Sequence, residues 1–210
     1  KFKITPLLSG ILTMTALYSI NLRIMGKANI SLLRQETLVS KLQILGLGKD
    51  HAALDLGFIT LTIVLIIINY FLNTEMGLAL RATGDNEQMI RSLGVNTDSA
   101  KVFGLTISNA LVALAGAEIA QFNNFADANM GLGMLVVGLA SVIIGEVLFG
   151  ANALPRALIS VVLGSVVYRF VIGLALILGL PATDLRLASS LLLIMFLASP
   201  QIKARLKIGA

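Results

Sequence analysis

Apolar residues gather in six long runs, Ile4–Leu22, Leu54–Leu72, Val102–Phe122, Met134–Phe149, Leu154–Leu176 and Leu185–Ser199, and most polar residues fall in the gaps between them. A helix crossing the hydrocarbon of a bilayer needs about 20 apolar residues, with a range of roughly 17 to 25. The fourth and sixth runs fall short of that range and are expected to tilt, to be shielded by protein or to be broken. In lipid every backbone polar group needs a partner, so only helices and closed barrels can span. Barrel strands alternate apolar and polar positions, and these runs are too long and too uniformly apolar for that. The pattern therefore predicts an all-α integral membrane protein, a polytopic bundle of about six transmembrane helices read as a single domain over residues 1–210.

Lys1 and Lys3 ahead of the first run imitate the basic start of a signal peptide. The run has no small-x-small cleavage site and further spans follow, so it is read as a span. A chain opening on lysine in front of a span leads to the expectation that N-terminal spans are missing. Composition agrees with the pattern: 57% of the 210 residues are hydrophobic and 13% are charged, against about 25% charged in ordinary globular domains. Mean hydropathy is +0.91. The net charge of +5 does not describe a nucleic-acid surface, because tryptophan is absent, aromatics reach only 6%, and the basic residues sit between apolar runs.

Those basic residues set the expected orientation. With both ends in the cytoplasm, the inner side holds Lys1, Lys3, Arg81, Arg91, Lys101, Arg156, Lys203, Arg205 and Lys207. The outer side then holds Arg23, Lys27, Arg34, Lys41, Lys49 and Arg186, with Arg169 inside a span. The bias is modest, and the tail Lys203–Lys207 is its cleanest part. Residues 23–53 then form an extracellular loop. Ser31 is placed to cap a helix ending near Gly46, with Leu38, Leu42 and Leu45 on one face opposite Arg34, Gln35 and Lys41. Such a helix lies on the membrane surface, or serves as a lid or as a docking surface for an extracellular binding protein.

Residues 73–100 form the expected cytoplasmic loop. Asp85 is placed to cap a short helix from Asn86 to Leu93, and Gly94 stands where a helix-terminating glycine belongs. Asn96 or Thr97 then opens the third span, with Asp98 in its first turn, where the helix dipole favours an acid. Met89, Ile90 and Leu93 lie on adjoining positions, with Glu87, Gln88 and Arg91 elsewhere. The pattern suits a helix that plugs a cleft in a partner protein, or a plain connection between spans.

The stretch Gly77-Leu-Ala-Leu-Arg-Ala-Thr-Gly-Asp-Asn-Glu87, continued by Met89-Ile-Arg-Ser-Leu-Gly-Val-Asn96, resembles the cytoplasmic loop of the branched-chain amino acid and ribose permease superfamily. Gly10–Gly26, Ser108–Gly116 and Gly138–Glu146 extend the resemblance over essentially the whole chain. It is most similar to the branch of ABC permeases often labelled uncharacterised, which includes proteins assigned as tryptophan importers. The resemblance implies a permease in the bacterial cytoplasmic membrane, paired with a second copy and with ABC ATPase subunits. An extracytoplasmic binding protein would deliver a small solute, an amino acid by that resemblance. The helix Asn86–Leu93 becomes the coupling helix seated in the ATPase, with Asp85, Asn86, Glu87, Met89, Ile90, Arg91, Leu93 and Gly94 as its residues.

Charge inside the membrane is costly, about 2.5 to 3.5 kcal/mol on insertion scales, so Glu118, Glu146 and Arg169 stand out. Glu118 lies sixteen residues beyond Val102 and Arg169 fifteen beyond Leu154, about 24 and 22 Å from the inner ends of their spans. They are expected to approach each other in the outer half of the bundle, or else to reach outward separately to water. Glu146 is close to the inner surface. Ser108, Asn109 and Gln121 complete the polar candidates for a solute pathway. Gly131, Gly138 and Gly145 recur every seven residues and Ala113 and Ala117 form a small-residue face, both suited to close helix packing.

Gly46-Leu-Gly-Lys49 is followed by Asp50 and lacks the spacing of a phosphate-binding loop. The chain has no cysteine and one histidine, His51, so neither a metal cluster nor a cofactor is expected. No serine, histidine and acid set converges, and no enzyme activity is expected of this chain. The rival class is a secondary transporter or channel subunit independent of ATP. It would show midspan carboxylates and inverted repeats, and no convincing repeat is found.

Overall fold

A computed structural model of the chain describes residues 5–33, 35–44, 48–131, 133–179, 181 and 187. The sixth expected span lies outside the described residues except for Leu187, as do Arg34, Leu45, Gly46 and the basic tail. The chain divides into two compact units, Lys1–Gly131 and Leu132–Ala210.

In the first unit, α1 covers Pro6–Met25, α2 Leu38–Ile44, α3 Lys49–Leu72, α4 Glu75–Asp85, α5 Glu87–Ser92 and α6 Thr97–Asn123, with short strands β1 at Asn29–Ser31 and β2 at Phe125–Asp127. The second unit contains α7, Met134–Phe149, and α8, Leu154–Ile177. The helices α1, α3, α6 and α8 are each long and apolar enough to cross a membrane. They coincide with the first, second, third and fifth apolar runs. The fourth run is α7, residue for residue, with 16 residues. At 1.5 Å per residue it reaches about 24 Å, short of the roughly 30 Å hydrocarbon core.

Local chemistry places the ends. Pro6 occupies the first turn of α1, where its missing N–H costs nothing. Gly26 terminates the helix at φ 70°, and its N–H bonds the Leu22 carbonyl. Most of the apolar side chains of α1, α3 and α6 are exposed, Ile11, Ile66 and Leu105 among them. Apolar surface on that scale is what a hydrocarbon solvent covers.

The loop after α1 differs from expectation. Ser31 does not cap a helix: it lies in β1, which pairs antiparallel with β2 in the register Asn29↔Asp127, Ile30↔Ala126, Ser31↔Phe125. The ribbon continues through Leu32 N–H to the Asn124 carbonyl and Ala128 N–H to the Ala28 carbonyl. Thr37 caps the shorter helix α2 instead, through reciprocal bonds with Ser40. The expected apolar face also shifts by one position. Val39 is buried, Leu42 is half-buried and Leu38 is exposed, because α2 rests against α3 and α6 within the unit. His51 is exposed in the opening turns of α3 rather than in a loop.

The second unit is a helical hairpin. Ala140, Ile144 and Tyr168 form its buried core, with Val137, Val167 and Ile172 packed against them. Of the glycines spaced by seven, Gly145 lies in the helix contact and a Cβ there would strike the Ser160 backbone, whereas a Cβ on Gly138 or Gly131 would meet nothing within the described residues. The partner of Gly145 is Gly164, whose Cβ would strike the Ser141 carbonyl and the Gly145 backbone. The expected stripe thus contributes one residue to this contact, and the second glycine comes from α8.

Candidate functional site

The connection between α3 and α6 folds back on the end of α3. Asn73 ends α3, and Thr74 caps α4 by accepting from Gly77 N–H at 3.3 Å while donating to the Phe71 carbonyl at 2.6 Å. Any Cβ at Gly77 would collide with the backbone of Phe71 and Leu72, so the turn requires glycine. Beyond it, α4 packs on α6 where Leu80 fills the space above Gly104. The sequence pattern predicts one short helix in this connection. Two are present, because Thr74 nucleates α4 immediately after the span.

The cap of α5 is Asn86, not Asp85. Asp85 is the last residue of α4. Asn86 turns extended at φ −151°, and its Oδ1 accepts from Met89 N–H at 3.0 Å. The difference arises because α4 runs on through Asp85, leaving the next residue as the first free to leave helical geometry. At the far end Gly94 adopts φ 88°, Gly94 N–H bonds the Arg91 carbonyl, and Val95 N–H bonds the Ile90 carbonyl. That pair of bonds is the Schellman closure, for which a residue without Cβ suits the left-handed position. Asn96 then caps α6 by accepting from Asp98 and Ser99 N–H at 3.1 and 3.2 Å.

The apolar residues Met89 and Ile90 of α5 and Leu93 at its C-cap do not share one environment. Ile90 is 6% exposed and faces inward, whereas Met89 is 51% and Leu93 70% exposed. The outward apolar tip is therefore Met89 and Leu93, and Ile90 anchors the helix from beneath.

Charged residues join α5 to the start of α6. Glu87 Oε2 meets Lys101 Nζ at 2.6 Å and its Oε1 meets Arg91 Nη2 at 3.1 Å. Thr97, 1% exposed, donates its hydroxyl to Glu87 Oε1 at 3.1 Å and accepts from Arg91 Nη2 at 2.8 Å. Arg91 also lies 3.6 Å from Asp98. From sequence Thr97 stands only as a possible cap and Lys101 only as an inner-side charge, and neither is joined there to Glu87 and Arg91. A visible signal was the one-turn spacing of Thr97 and Lys101 on α6, which places both on one face.

The hydrogen bond from Lys101, then that from Thr97, hold the Glu87 carboxyl below its ordinary value of 4.5, with the charges of Lys101 and Arg91 adding and burial opposing. A carboxyl with a depressed folded value stabilises its contacts above the ordinary value and loses them as pH falls through the depressed one. A spin label at Gln88 should therefore keep constant mobility from neutral pH down to the ordinary carboxylate range and gain mobility below it. In Glu87→Gln the label should be mobile at every pH.

Within the first unit, the polar residues carried by α6 do not gather at one point. Asn109 donates to the Leu105 carbonyl of its own helix at 2.8 Å, and Ser108 is exposed beside it. Gln121 is an anchor for the loop: its Oε1 accepts from Leu38 N–H at 2.9 Å, and its Nε2 donates to the Ala117 carbonyl. Glu118 is half-buried and lines an open groove of about 270 Å³ with Val39, Leu56, Ile119 and Phe122. Glu146 and Arg169 are exposed on α7 and α8. Glu118 belongs to the first unit and Arg169 to the second.

Apolar helices of spanning length, joined by a doubly capped helical connection, define a polytopic membrane protein. Residues 1–200 match the family described as the permease component of branched-chain amino acid transport systems. The chain belongs to that family: it is a multi-pass permease of an ABC-type importer, in the bacterial inner membrane. It is 44% identical over 207 residues to a tyrosine transport system permease protein of Clostridioides difficile, covering 99% of this chain and 68% of that one. An uncharacterised protein of Rickettsia prowazekii is 36% identical over 202 residues, 94% of this chain and 70% of that one. An autoinducer 2 import system permease protein of Yersinia pseudotuberculosis is 30% identical over 128 residues, 60% of this chain and 36% of that one. No solved structure matches the chain.

Proposed function

We propose that α5 is the coupling helix of the importer, standing on the cytoplasmic face and seating Met89 and Leu93 in a cleft of a separate ABC ATPase subunit. The observation that carries this is the exposed pair at positions 89 and 93 on a helix fixed at both ends. A partner needs a small apolar knob on a rigid support, because preorganised contacts lose less to ordering on binding. Asp85, Asn86 and Gly94 shape the support, Ile90 anchors it, and Glu87 and Arg91 tie it to α6.

In this reading residues 1–210 act within one transmembrane domain. A second copy of the permease completes the pathway, and an extracytoplasmic binding protein delivers the solute to the outer side. Residues 23–53 and the β1–β2 ribbon lie on that outer side, and Glu118 lines the outer end of the path. The solute is an amino acid, an aromatic one by analogy with the tyrosine permease relative. ATP is hydrolysed on the partner chain.

The test is uptake of labelled tyrosine into proteoliposomes containing the permease, its ATPase and its binding protein. Uptake should require ATP and all three components. Uptake by the permease alone, driven by an ion gradient, would reject this function in favour of secondary transport.

A further inference from the structure

We propose that Glu87, Thr97 and Lys101 form a joint that makes α5 and the opening turns of α6 move as one body, so that load applied to α5 enters the membrane through α6. The inference rests on the reading of α5 as the coupling helix and adds to it the route the load takes.

The six residues of α5 rise only about 9 Å. A helix of this length has no stability of its own in water, so its attachments decide what moves with it. It leaves α4 through Asn86, whose extended backbone breaks helical continuity. Among the described residues, the side-chain bonds that leave α5 for another helix run to α6. Both Glu87 oxygens take part: Oε1 accepts from Arg91 and Thr97, and Oε2 from Lys101. Thr97 is the pivot, because its buried hydroxyl bonds α5 on both its donor and its acceptor side. Arg91 adds Asp98 in the first turn of α6.

An isolated exposed ion pair would hold little. Here four side chains from the two helices restrain the carboxylate or its arginine, and one of them is the buried Thr97 hydroxyl. Networks of this kind are worth more than their pairs. Energetic coupling between distant sites travels through such networks and the rigid elements they join. Glu87 and Lys101 are thus positioning residues. They face each other and need not touch ATPase or solute.

The experiment uses the reconstituted importer and two measurements, ATP hydrolysis stimulated by loaded binding protein and solute uptake. In Glu87→Gln the ATPase should remain bound and hydrolysis should continue, while solute taken up per ATP falls roughly two- to thirty-fold. The chain contains no cysteine, which permits a rescue. The double variant Glu87→Cys with Lys101→Cys should be equally uncoupled. Bridging its two thiols with a short bifunctional reagent, before assembly with the partners, should restore uptake per ATP.

Unchanged uptake per ATP in Glu87→Gln, or no difference between bridged and unbridged double variants, would overturn the joint. Replacing Met89 and Leu93 in parallel separates the two levels. If those changes release the ATPase while Glu87→Gln stays coupled, α5 is the docking helix and only the joint is rejected. If they leave the ATPase bound, the docking reading fails and the joint fails with it.

Discussion

Converting Met89 and Leu93 together to aspartate is expected to abolish co-purification of the ATPase while leaving the permease at its normal level in the membrane. Both side chains are largely exposed within the permease, so their loss removes little from its own packing. In the proposed contact with the ATPase they become buried. Burying a large apolar side chain is worth about 1.5 to 3 kcal/mol, so losing two removes about 3 to 6 kcal/mol. That is a drop of roughly two to four orders of magnitude in affinity. Aspartate adds the cost of taking an unpaired charge out of water. Ile90→Asp is the informative contrast. Ile90 is buried against the permease, so that change should lower the amount of folded permease rather than selectively release the ATPase. Recovery of the ATPase with the double variant at wild-type stoichiometry would remove α5 from the interface.

Much of this arrangement is legible along the chain, for physical reasons that can be stated element by element. Spans are legible because lipid imposes a length and a composition at once, and five of the six runs lie on helices among the described residues. Gly94 and Asn96 are legible because a helix end needs particular chemistry at one position. The cap of α5 falls one residue beyond the expected Asp85 because Asp85 and Asn86 are both good caps. The choice between them is made by how far the preceding helix α4 extends. Its 11 residues are of low hydrophobicity and follow a span after only two connecting residues, so no pattern marked it apart from Thr74.

The ribbon of β1 and β2 was beyond reach for a different reason. Each strand has three residues, too few for alternation to be recognised, and the partners lie 98 residues apart at Asn29 and Asp127. Gln121 illustrates the same limit within the site. An amide near the end of a span suggests a solute contact, yet its oxygen satisfies a loose backbone N–H at the start of α2, a demand that arises only when a distant loop folds back. The joint at Glu87 was half visible. Its arginine sits one turn away on the same helix, whereas its lysine arrives 14 residues later from the next one.

Gly164→Leu is expected to be the most damaging single substitution in the hairpin of α7 and α8, and Gly138→Leu among the mildest. Between lipid-facing helices, burial from water supplies no drive, so close packing of small residues does most of the holding. The hairpin puts that packing where Ser141 and Gly145 of α7 meet Ser160 and Gly164 of α8. A Cβ on Gly164 would already occupy the positions of the Ser141 carbonyl and the Gly145 backbone. Backbone atoms cannot rotate aside as a side chain can, so the helices must separate along their contact and expose Ala140, Ile144 and Tyr168. Overpacking of this kind costs about 1 to 3 kcal/mol or more, which for a chain of this size is a fall of roughly 2 to 12 °C in Tm. Measured in detergent by thermal size exclusion, Gly164→Leu should lower the midpoint and broaden the peak, and Gly164→Ala should do the same to a lesser degree. Gly138→Leu, where a Cβ meets nothing within the described residues, should leave the midpoint in place. Equal effects at 138 and 164 would show that the hairpin contact does not control stability.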